Sequence, residues 1–128
     1  MGSAATRSEL AVARHVAPEN FQTACWGEID AAPYWRRGIC FNPGCCAPFE
    51  PRRDWQMYCS KACERAGVSE MRRWGHRLAL PSLIHRIGKY EAKDDAIRER
   101  TRAARRHIAQ LQSAWLEERQ TRAGQVRS

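Results

Sequence analysis

Residues 40–63 read CFNPGCCAPFEPRRDWQMYCSKAC and hold five of the chain's six cysteines. Zinc takes four soft or borderline ligands in a tetrahedron, and two thiolates a few residues apart supply two of them by closing a small loop. Cys40-Phe-Asn-Pro-Gly-Cys45 is such a loop, in which Pro43 and Gly44 turn the backbone so that both sulfurs can face one point. Cys59-Ser-Lys-Ala-Cys63 is a second pair, and Ser60 stands where it can start a helix that presents Cys63 from its first turn. Residues 46–58 lie between the pairs and are enough for a short hairpin. Cys45 and Cys46 are adjacent, so they cannot easily both ligate one ion.

The whole chain constrains this reading. At 128 residues it makes one small domain, or a small module with appended helices, and a core that small gains from a metal staple or a partner chain. A mean hydropathy of −0.68 describes a polar, soluble chain. No stretch has the length of a membrane-spanning helix, and the first twenty residues lack the apolar run of a secretion signal. A cytoplasmic, reducing setting is therefore expected, where clustered cysteines hold metal more often than they form disulfides. A group of reduced structural cysteines is the alternative.

The spare thiols are assigned by resemblance. The segment resembles the short zinc fingers written Cys-x(2–4)-Cys-Gly-x-x-Phe, basic residues, Tyr-Cys-Ser-x-x-Cys. These belong to the treble-clef and zinc-ribbon group, and the C-terminal finger of the CGNR transcription-factor family is similar. The resemblance spans residues 40 to about 66 and implies one structural Zn2+ on Cys40, Cys45, Cys59 and Cys63. It also implies Cys46 in the place of the usual glycine, Phe49 as a packing aromatic, PRRD as a basic hairpin and YCS as the helix entry. The CGNR tetrapeptide itself is missing, since Cys63 is followed by ERAG. The runs NPGCCAPF, YCS and GKYEAK are also similar to small prophage-encoded proteins. Cys25 reads as a core residue and a reserve ligand.

The remaining chain divides around this module. Residues 1–39 form an N-terminal segment of loop and short helix, with Ser8 as cap of SELAVARHV and Phe21, Trp26, Tyr34 and Trp35 as packing residues. Residues 67–90 read as two short helices: Gly67 stops the turn begun at Ser60, and Val68, Met71, Trp74 and Leu78 make one apolar face before Pro81. After it, Ser82 caps SLIHRIGKY. Residues 91–120 make one long amphipathic helix, free of Gly and Pro, followed by a frayed tail at 121–128. Ile97, Thr101, Ala104, Ile108, Leu111 and Trp115 form a heptad-like seam, which either packs on the preceding helices or meets a second copy or protein partner. The expected fold class is a small zinc-stapled α+β module, a treble-clef or zinc-ribbon-like hairpin plus helix, followed by a mostly α-helical C-terminal half.

The formal charge is +8, and the excess lies at and after the cysteines, because residues 1–39 are neutral. Arg52, Arg53 and Trp55 fall on the expected hairpin, with Lys61, Arg65, Arg72 and Arg73 on the helices behind it. Arginine forks suit phosphates and guanine edges, and an exposed tryptophan can stack on an unpaired base. Nucleic acid, DNA more than RNA, is the expected partner. The competing reading makes these cations charge balance for a zinc tetrathiolate, with the Ile97–Trp115 seam as the working surface of an adaptor. Four cysteines fill a zinc shell, and residues 46–66 contain no histidine to activate water, so no enzyme is expected.

Overall fold

The structure, a computed structural model, describes residues 20–31 and 36–127. The expected Ser8-capped helix and the packing roles of Tyr34 and Trp35 lie outside these residues. Among the described residues four helices follow in chain order: α1 (Phe21–Ala24), α2 (Trp26–Ala31), α3 (Lys61–Gly88) and α4 (Asp95–Arg127). The two long ones pack antiparallel, since Gly88 meets Thr101 while Trp74, further back on α3, meets Trp115. The cysteine module sits at the open end of this helical hairpin.

Ser60 caps α3 as the sequence predicts, its Oγ accepting from the Cys63 amide at 3.2 Å. Neither expected break occurs. Gly67 is buried inside α3, where its bare backbone receives the Tyr58 ring; a Cβ there would collide with the phenol. Pro81 is also internal, so residues 67–88 form part of one helix and not two short ones, with Lys89 and Tyr90 in the turn that follows. A proline interior to a helix costs about 3 kcal/mol, and here packing on both sides offsets that cost. Trp74 before it and Gly88 after it are both buried.

The connection to α4 is held by carboxylates. Glu91 Oε1 accepts from the amides of Lys93 (2.7 Å) and Asp94 (3.0 Å), and Asp94 Oδ1 accepts from Ile97 N at 3.1 Å. The helix therefore starts at Asp95, slightly later than expected. It also runs through the expected frayed tail as far as Arg127. Contacts from Arg119 and Arg122 to the cysteine module hold this last part in register.

The seam of α4 turns towards α3. Ile97 and Thr101 lie against Gly88, Ala104 is buried, and the Trp115 ring stacks on Trp74 with centroids 5.7 Å apart and planes 3° from parallel. The arrangement is lean: Cys40, Trp74 and Ala104 are buried, together with Pro43, Gly67 and Gly88, and no other apolar residue among those described is. Phe21, expected to pack, is 70% exposed.

No strand forms among the described residues, so the expected zinc-ribbon hairpin is absent. Its place is taken by a single antiparallel bridge, Ile39 to Pro48. The reason is local: Pro48 and Pro51 lack the N–H groups that a ladder needs. The loop is fixed instead by Gln56, which accepts from Arg52 N at 2.7 Å and donates to the Tyr58 carbonyl at 2.9 Å.

Candidate metal centre

Cys40 and Cys45 come from the Asn-Pro-Gly turn, Cys59 from the residue before the α3 cap, and Cys63 from the first turn of α3. The amide of Cys45 bonds the Asn42 carbonyl at 2.9 Å, which closes the turn. Asn42 Oδ1 accepts from Gly44 N at 3.0 Å. All four sulfurs lie within 4.8 Å of one another, and no disulfide joins any of them. The group could hold a metal ion.

The donor geometry suits a tetrahedral thiophilic ion. The Cys45–Cys59 and Cys59–Cys63 sulfurs are each 3.8 Å apart. Tetrahedral metal–sulfur bonds of about 2.3 Å require sulfur–sulfur edges of about 3.8 Å. Two N–H groups also point at sulfur: Cys59 N at 3.4 Å from Cys40, and Asn42 Nδ2 at 3.3 Å from Cys63. Such donors stabilise thiolates and orient them. In the metal-free site burial pushes the Cys40 thiol up to about 12, while the Asn42 amide draws Cys63 down to about 7.

The other two cysteines lie outside this cluster. Cys46 turns its Sγ to the carbonyls of Pro43 (3.5 Å) and Asn42 (3.8 Å). Its φ of +56° is the left-handed conformation that glycine adopts readily. Cys25, the reserve ligand, lies on the short connection between α1 and α2 and is not among the clustered thiols.

Behind the sulfurs stands a polar clamp that local sequence patterns do not reveal. Glu70 on α3 is buried and accepts from Trp115 Nε1 at 2.6 Å and from Arg119 Nη1 at 2.6–2.7 Å. Arg119 also donates to the Phe41 carbonyl and lies 3.9 Å over the Phe41 ring. The Phe41 amide in turn bonds Met57 O at 2.7 Å. The loop between the first two cysteines is thus tied to both long helices.

The basic residues expected to contact nucleic acid divide into two sets. Arg52, Arg53, Trp55, Lys61 and Arg72 line one open groove between α1–α2, the 49–61 loop and α3. Arg53 lies 6.0 Å from the Trp55 ring. Glu28, Glu50 and Glu64 interleave with these cations. Arg65 instead bonds its own helix at Lys61 O, and Arg73 forms a two-pronged pair with Glu118 at 2.8 and 3.2 Å. No helix among the described residues is long and apolar enough to cross a membrane.

No protein-family model, curated protein or solved structure matches the chain.

Proposed function

We propose that Cys40, Cys45, Cys59 and Cys63 hold one structural zinc ion, and that the stapled module binds nucleic acid, DNA in preference to RNA, as an accessory or regulatory protein of phage or mobile-element type. The sulfur spacing carries the first half. Four thiolates within 4.8 Å of one another, with two edges at the tetrahedral length of 3.8 Å, would fill a zinc shell and leave no open position for water, which suits a staple better than a catalyst. When bound, zinc supplies crosslinking and charge neutralisation. The chain's own part is to turn the Asn42 loop, start α3 at Ser60 and aim two N–H groups at sulfur.

The second half is supported by the convergence of Arg52, Arg53, Lys61 and Arg72 around Trp55 in one groove. Cations that neutralise phosphates release counterions, so binding should weaken steeply with salt. The test is fluorescence anisotropy of zinc-loaded protein with mixed-sequence duplex and single-stranded oligonucleotides at two salt concentrations. Binding with a steep salt slope, weakened by Arg52→Ala/Arg53→Ala, is expected. No binding at low salt would sink the reading and leave these cations as charge balance.

An adaptor role is the second reading, favoured by one observation: Leu80, Leu83 and Ile87 stand exposed on α3, with Tyr90 exposed just past its end. Because the Ile97–Trp115 seam faces α3, the working surface of an adaptor would be this other side. A second copy joined through the seam would have to open the helical hairpin, and sedimentation with Ile108→Asp tests that.

A further inference from the structure

Helix α3 buries one face and leaves a second apolar side open. Leu80, Leu83, Ile87 and Tyr90 are 65, 56, 69 and 76% exposed. Steps of three and four residues put Leu80, Leu83 and Ile87 on one side of the helix, roughly 120° around from Glu70, Trp74 and Gly88 at 3.6 residues per turn, and Tyr90 follows in the turn just past the helix end. The helical part of this stripe, Leu80 to Ile87, is about 10 Å long at 1.5 Å per residue, and Tyr90 extends it beyond the helix end. Solvent-facing apolar residues in such a row mark an interaction surface more often than isolated ones do.

The charges beside the stripe select the partner. Arg86 and Lys89 border it, both lying over the Tyr90 ring at 5.7 and 5.4 Å, while Arg77 is turned over the Trp74 ring at 5.2 Å. Helix α3 has only two acids, Glu64 far up the helix and Glu70, which is bound to Arg119. The neighbouring Glu91 is turned to backbone amides. A second copy of this surface would bring cations against cations. A flat lipid surface is also disfavoured: towards the N-terminus the same side carries Arg72 and His76 into the groove walled by α1–α2 and the 49–61 loop. A rod can lie along α3 below that wall, whereas a plane meets the wall first.

We propose that this side of α3 docks an amphipathic helix of a partner protein, three to four turns long, whose apolar seam is flanked by Asp and Glu. The mode is helix-in-groove recognition with apolar anchors and complementary charge at the edges. The proposal goes beyond the nucleic-acid reading and uses none of the basic residues assigned there except Arg72, as a boundary marker.

The test uses the full, zinc-loaded chain and two synthetic amphipathic peptides with the same leucine seam, one flanked by glutamate and one by lysine. Vesicles of phosphatidylglycerol form a third arm. The photo-crosslinker benzoylphenylalanine in place of Leu83 reports what lies there. The glutamate peptide is expected to bind and to crosslink, with the lysine peptide at least about tenfold weaker. Leu83→Asp/Ile87→Asp is expected to lower affinity for the glutamate peptide by about tenfold or more, with metal content and circular dichroism unchanged. Equal binding of both peptides, or of neither, would overturn the proposal. So would a crosslink to residues 1–19, to a second copy or to lipid.

Discussion

Arg119 and Glu70 lie 49 positions apart and form an ion pair of 2.6 Å, with side chains only 18% and 5% exposed. The pair joins the two long helices, and through the Phe41 carbonyl it reaches the turn that carries Cys40 and Cys45. Loss of one partner therefore costs more than breaking a surface salt bridge, because it leaves the other charge buried.

Removing one partner tests this. Arg119→Ala leaves a buried carboxylate with Trp115 as its remaining partner, and breaking a buried pair in this way costs about 3–5 kcal/mol. Arg73→Ala removes a pair whose arginine is 54% exposed, and exposed pairs are worth about 0–1 kcal/mol. Urea denaturation of the two variants should rank them in that order. Similar losses would mean that the clamp is only a surface contact.

Spacing made the metal cluster legible, because its four sulfurs come from two local turns whose Pro, Gly and Ser residues fix their own geometry. The long seam of α4 was legible for the same reason, through its repeat. The clamp was not, since nothing near Glu70 or Arg119 in sequence marks a partner so distant. Gly67 and Pro81 read as stops because their local preference is against helix. Packing against Tyr58 and α4 overrides that preference. The expected hairpin failed in the opposite sense, since a segment that looked extended carries two prolines and forms only a bridge.

Cys46 stands in a backbone conformation suited to glycine. A left-handed residue with a Cβ costs roughly 1–2 kcal/mol, and glycine adds roughly 0.5–1 kcal/mol of unfolded-chain entropy to be lost on folding. Cys46→Gly is thus expected to be neutral to stabilising by about 1 kcal/mol, with zinc stoichiometry unchanged. A fall in bound metal would show that Cys46 is a ligand after all.

Metal binding should release protons, and more of them at lower pH. With the Cys40 thiol at about 12 and Cys63 near 7 in the metal-free site, Cys40 is protonated across the accessible range while Cys63 loses its proton around neutrality. Zinc must displace the protons of Cys40 and of Cys45, whose thiol is also raised above its ordinary value, at pH 8, and that of Cys63 as well at pH 6. Apparent zinc affinity should accordingly fall as pH drops below 7. A pH-indicator titration in weak buffer measures the release. A proton count that does not change between pH 8 and pH 6 would contradict the assignment of Cys63.

Three glycines of α3 and α4 sit in different surroundings, and alanine at each separates packing from propensity. A Cβ at Gly75 or Gly124 meets nothing within 4 Å, so each change should stabilise by about 1 kcal/mol through helix propensity alone. A Cβ at Gly67 meets the Tyr58 ring, whose hydroxyl pKa is raised above its ordinary value by burial and the nearby Glu70 charge. That ring stacks edge-on with Phe41 at 6.1 Å, so displacing it disturbs the cysteine turn as well. Gly67→Ala is therefore expected to destabilise by about 1–3 kcal/mol, the cost of overpacking a filled site. It should also speed loss of zinc to a chelator, an effect that Gly75→Ala should not have. Thermal melts together with chelator-exchange rates check both halves. If Gly67→Ala melts higher than the parent, Tyr58 does not pack on α3, and the link from helix to metal centre runs through Arg119 alone.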